Sequence, residues 1–154
     1  MPPRPLRVAA ATLASALAVA GCGNSAPTKS ERAAAAAKQT VRTALLAVAH
    51  DDGRAFCALL TPGAQAALGR ILYGYDCPHL ATMIGRHLWP EARTALLHAR
   101  VTAVTLGAGG ASATVSSDAI TAARGSVKGL LDDHGTPTRL VRTAAGDWLI
   151  AADG

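Results

Sequence analysis

Aromatic side chains are nearly missing from this chain: 154 residues carry one Phe, two Tyr and two Trp. A core short of rings must be filled by leucine, valine and small residues, and 36 of the residues are alanine. That composition favours helices packed at close range and leaves a modest pocket. Charge is thin as well: Asp, Glu, Lys and Arg make up 16% of the chain, with a formal net charge of +5. The cations are scattered, which argues against nucleic-acid binding, a task that needs a concentrated basic face. There is no glycine loop built to cradle phosphate, no nucleophile–base pair and no dedicated metal motif. Nor is there an apolar run long enough to span a bilayer. The N-terminal one, Val8 to Ala20, would form a helix of roughly 20 Å against a hydrocarbon core of roughly 30 Å.

That short run reads as a leader. Arg4 and Arg7 supply its positive start, Val8 to Ala20 its uncharged middle, and Val19-Ala20-Gly21-Cys22 its end. The ending resembles the lipobox of bacterial lipoproteins: an aliphatic residue, two small residues that let an extended backbone enter a peptidase, and a cysteine. Val19 stands where leucine is commoner. The resemblance implies a signal peptide over residues 1–21 and a diacylglycerol on the Cys22 thiol, with fatty acids of the palmitate type. It also implies a protein anchored by lipid to the extracytoplasmic face of the cell membrane. The alternative is an ordinary secretory signal cleaved near Ala20, with Cys22 merely nearby. Cleavage before Cys22 leaves 133 residues, enough for one domain with one core. Losing Arg4 and Arg7 takes the formal charge from +5 to +3, a slight bias toward an anionic membrane surface.

Cysteine arithmetic agrees. Three cysteines would leave one thiol odd in an exported protein. Lipidation of Cys22 removes it, and Cys57 and Cys77 remain, in a compartment where disulfides persist. Closing a loop of that size stabilises a fold by about 3 kcal/mol in the chain-entropy treatment. Two buried free thiols are the other reading.

Residues 22–30 begin with a polar, Gly- and Pro-containing stretch that reads as a tether, and the domain is expected over 31–154. Thr28 and Glu31 have capping-box spacing ahead of an alanine run, and Val41, Ala44, Leu45 and Val48 recur at helical intervals. Asp51-Asp52-Gly53 stops that helix, and either aspartate can cap a short second one holding Phe56, Cys57, Leu59 and Leu60. Thr61-Pro62 opens a third helix, to about Leu72, and Cys77-Pro78 a fourth, with Leu80, Ile84 and Leu88 on one stripe. Pro90 breaks it, and a turn or two of helix follows to His98. The periodicity then changes. Val101 to Leu106, a turn at Gly107–Gly110, and Ala111 to Ser116 read as a hairpin. Asp118 to Leu131 reads as a strand or irregular excursion. Thr138 to Thr143 and Trp148 to Ala151 form a closing hairpin. Helices first and strands afterwards give an α+β fold, with helices on one face of a curved antiparallel sheet.

The order of these features from Ala33 to Ala152 resembles small envelope lipoproteins with a nuclear transport factor two-like, or SnoaL-like, domain. The segments that carry the resemblance are Val41-Arg42-Thr43-Ala44-Leu45-Leu46 before Asp51-Asp52-Gly53, then Phe56-Cys57-Ala58-Leu59-Leu60-Thr61-Pro62 with Cys77, then Ala99 to Val104, and finally Leu140-Val141-Arg142 to Gly146-Asp147-Trp148-Leu149-Ile150. It implies a cone of helices and bent sheet around a pocket. Some members use that pocket for isomerase or cyclase chemistry, and many others only for binding or assembly, so fold alone assigns no activity.

Enzymatic members need an ionisable group held in an apolar pocket. Tyr73, Tyr75, Asp76 and Asp118 are the candidates, but Tyr-Gly-Tyr-Asp reads more simply as a loop beside a disulfide and Asp118 as a turn residue. No catalytic residue is assigned. His79, Met83 and His87 fall at i, i+4 and i+8, and imidazole with thioether could hold copper outside the cytoplasm, although ordinary packing explains the same spacing. His50, His98 and His134 fall near element ends. The expectation is a lipid-anchored, non-enzymatic binding or assembly module. It needs no cofactor, and its partners would be the membrane through Cys22 and a small apolar ligand or an envelope protein. The alternative is a small pocket enzyme of the isomerase or cyclase type.

Overall fold

The computed structural model describes residues 26–71, 74–122 and 138–152. Helix α1 (Lys29–Ala49) begins where Thr28 Oγ1 accepts the Glu31 N–H at 3.1 Å and the Glu31 carboxylate accepts the Thr28 N–H at 2.6 Å. This reciprocal cap satisfies two of the first-turn donors. Those bonds, the one to the Thr28 backbone foremost, hold the Glu31 carboxyl below the ordinary glutamate range. The helix therefore starts where the Thr28 and Glu31 spacing places it. It ends at His50, after which Asp51 turns the chain with φ of 59°, a left-handed conformation aspartate tolerates better than most residues.

Each later helix has a cap written into its sequence, except the last. Asp52 accepts from Ala55 N–H and opens α2 (Gly53–Ala58). Thr61 Oγ1 accepts from Ala64 N–H and opens α3 (Pro62–Ile71). Asp76 accepts from His79 N–H and opens α4 (Cys77–His87). Pro90 alone starts α5 (Pro90–Leu97), with no side-chain cap.

Six short strands follow: β1 (Arg100–Val101), β2 (Thr105–Leu106), β3 (Ser112–Val115), β4 (Ile120–Thr121), β5 (Thr138–Arg142) and β6 (Trp148–Ala151). β2, β3, β5 and β6 pair in that order as an antiparallel sheet, and β1 pairs separately with β4. The fold is thus α+β, with helices on an antiparallel sheet of four strands. That sheet is not strongly curled. Strands of two to five residues give little length over which to bend.

The strand expected over Val101 to Leu106 is split. Thr102 donates both its N–H and its hydroxyl to Ala119 O, at 2.8 and 2.9 Å. The chain is thereby committed to the β1–β4 pair before it can enter the main sheet at Thr105. Of the stretch from Asp118 to Leu131, the described part is the end of a 3₁₀ turn, Ser117–Ala119, and then β4. The rest lies outside the described residues.

Two buried clusters hold the layers together. The larger joins α1, α5 and the sheet, with Ala33, Ala37, Val41, Leu45 and Ala49 forming the α1 stripe and Leu140 and Val115 the centre of the sheet face. Trp148, 3% exposed, also lies in it, and its indole N–H has no hydrogen-bond partner among the described residues. The smaller cluster contains Cys57, Leu60, Ala64, Cys77 and Ala81 of the α2–α4 region. Leu59 O accepts from Ile150 N–H and Ile150 O from Thr61 N–H, each at 2.8 Å, so the link between α2 and α3 covers the outer edge of β6.

Close helix approach depends on glycine at two points. A Cβ on Gly53 would lie 1.9 Å from Pro78 O, and one on Gly85 would lie 2.6 Å from Val48 O. Arg93 of α5 then ties the helix ends. Its guanidinium donates to Ala49 O at the end of α1, to Gly85 O of α4 at 2.7 Å and to the Asp51 carboxylate at 3.0 Å. A cation at two helix C-termini also meets their negative dipole ends.

Candidate functional site: an apolar cavity between helices and sheet

Between the helices and the sheet lies a cavity of about 330 Å³. One wall is α1, through Val41, Ala44, Leu45 and Val48. Phe56 of α2, Leu68 of α3, and Ala81 and Ile84 of α4 form the wall beside it. Leu96 of α5 with Ile120, Thr138 and Ile150 from the strands closes the remainder. The space exists because the side chains at Ala44 and Ala81 are short where three helices converge on the sheet. Thr138 supplies the only polar side chain among the described lining residues, and none of those residues is ionisable.

Ile84 sits at the mouth, 39% exposed, which corrects its expected place on a buried stripe. The buried face of α4 runs instead through Cys77, Leu80, Ala81 and Gly85. The helix is turned so that Gly85 meets the end of α1, where only a hydrogen fits. Leu88 is half-buried against the larger cluster.

The candidate ionisable residues stand elsewhere. Asp76 is exposed and occupied as the cap of α4. Tyr75 is 50% exposed and its ring stacks on His79, with centroids 4.9 Å apart. Asp118 is exposed in the turn between β3 and β4. Tyr73 and Cys22 lie outside the described residues, as does His134. His79 and His87 are exposed on α4 and Met83 is half-buried between them. Among the described residues, no group of three or more His, Cys, Asp or Glu is placed to hold a metal. His50 and His98 are exposed at the C-terminal ends of α1 and α5. No polar or charged residue is buried among the described residues.

Cys57 and Cys77 stand as a disulfide pair, both buried, with Cα atoms 6.0 Å apart, inside the range a bridge can span. The pair fastens α2 to the first turn of α4, beside the cavity wall.

Sequence reading found the apolar stripe of α1 and expected a modest pocket, but it did not place the buried face of α4 or name the residues that line the cavity. Ala44 and Ala81 are both buried and both line it. At the surface, Trp89 is 77% exposed between α4 and α5. No helix among the described residues is long and apolar enough to cross a membrane. Comparison of the chain with family models, curated proteins and solved structures gives no match.

Proposed function

We propose that this chain is a lipid-anchored binding module on the extracytoplasmic face of the cell membrane. Its domain would be of the nuclear transport factor two-like kind, and it would work by holding a small apolar ligand without transforming it. The observation that carries the binding reading is the cavity: apolar walls, one hydroxyl and no ionisable side chain among its described lining. General acid–base chemistry needs a titratable group within hydrogen-bond reach of the reacting atom, and the candidate acids Asp76 and Asp118 lie at the surface. Helices laid over one face of an antiparallel sheet, with a pocket between the layers, support the fold-family reading. The leader ending at Cys22 supports the anchor, and a tether keeps the domain where membrane partners are concentrated.

Two measurements test this. Changing Cys22→Ala should leave unprocessed precursor or shed soluble protein, and should abolish labelling by radioactive palmitate. A variant processed, labelled and retained like wild type removes the anchor. Native mass spectrometry of protein purified from its own envelope should show a retained small molecule. Turnover of an apolar substrate that disappears in Asp76→Asn or Asp118→Asn would replace the binding module with an enzyme.

A further inference from the structure

We infer that the cavity takes one aliphatic chain, the tail of an uncharged amphiphile that enters past Ile84 and leaves its head in water. This rests on the binding-module reading and names the class of ligand for that same cavity. Size comes first. A volume of about 330 Å³ lies at the small end of ligand pockets, about 300–1,000 Å³. Liquid water takes about 30 Å³ per molecule and a methylene is of similar size, so the space holds a chain of roughly ten carbons and excludes a second one.

Shape points the same way. The α1 wall extends from Val41 to Val48, about 10 Å of helix, and the cavity reaches from there across to Leu68 on α3. A space walled mostly by aliphatic side chains suits a flexible chain. Aromatic ligands are gripped by stacking against aromatic side chains, and Phe56 is the only ring in the described wall.

Charge fixes the rest. A carboxylate or phosphate drawn inside would meet no cation among the described lining residues, and an unpaired buried charge is costly. Thr138 Oγ1 can bond one neutral oxygen, such as a hydroxyl or an ester carbonyl. The half-exposed Ile84 marks where the chain leaves the protein.

The test uses the full lipidated protein in phosphatidylcholine nanodiscs, with two photoreactive probes: a decyl alcohol with a terminal diazirine and a steroid diazirine. The decyl probe should crosslink to peptides containing Val41–Val48 and Ala81–Ile84, with excess n-decanol competing and excess progesterone not. Ala81→Phe, which fills the cavity, and Ile84→Trp, which blocks its mouth from an exposed position, should each cut that labelling at least tenfold. Circular dichroism checks that both remain folded. Undiminished labelling in a folded Ile84→Trp protein overturns the chain inference, as does stronger labelling by the steroid, while the binding module survives both outcomes. If neither probe labels those peptides, cavity binding itself is overturned.

Discussion

The cluster between α1 and the sheet buries Val41, Leu45, Leu96, Val115, Ile120, Leu140 and Trp148 along with several alanines, whereas the cluster in the α2–α4 region buries Leu60, two alanines and two cysteines. Large side chains interlock and lose contact area when one is shortened. Cysteine and alanine offer much less surface to remove from water, so the second region depends on a crosslink and on glycines that let backbones touch. The cavity lies where the two regimes meet, with α1 as one wall and Phe56, Leu68 and Ala81 as the other. The cavity thus sits between a firmly packed layer and one held at a covalent point.

Breaking each region in its own way should separate them. The largest effect is expected from Leu140→Ala, at a side chain 1% exposed in the sheet centre. It should lower unfolding stability by about 2–5 kcal/mol in denaturant titration, and a loss under about 1 kcal/mol would mean that this layer repacks as easily as the other. Replacing both Cys57→Ser and Cys77→Ser should cost about 3 kcal/mol. Hydrogen exchange would place the loss: amides of α2 and α4 should exchange faster while β5 and β6 keep their protection. Loss spread evenly over both layers would erase the distinction drawn here. The smallest effect belongs to the exposed cap of α1. Because the Glu31 carboxyl is held below its ordinary range by Thr28, its contribution is complete above the ordinary glutamate pKa and vanishes as pH falls through the depressed folded value. An NMR titration should find the Glu31 midpoint below that of an unstructured peptide, and Glu31→Gln should remove the pH dependence of fraying at Thr28 to Arg32. A midpoint at or above the peptide value would show that the cap does not hold in solution.

What was legible in the sequence was local. Thr28 with Glu31, Asp52, Thr61 before Pro62, and Asp76 each bond a backbone N–H three residues away, so their patterns announce helix starts directly. The β5–β6 hairpin was equally plain, with Gly146 at φ of 98° in its turn. The break at Thr102 was not legible, since it depends on a carbonyl seventeen residues on. The Arg93 tie was hidden for the same reason, joining residues 44 and 42 positions apart. The cavity depends on something more remote still, the absence of side-chain volume where α1, α4 and the sheet converge. A residue-by-residue pattern records Ala44 and Ala81 only as helix formers.

The two tryptophans give the molecule a built-in optical readout. Trp148 is sealed in the core, two residues along β6 from the cavity residue Ile150, with an indole N–H that no described group accepts, while Trp89 stands 77% exposed. Two indoles in such unlike surroundings emit at different wavelengths and meet dissolved iodide unequally. A colour change confined to the shielded emitter would report on the interior beside the cavity, and quenching of the accessible one would follow whatever reaches the link between α4 and α5.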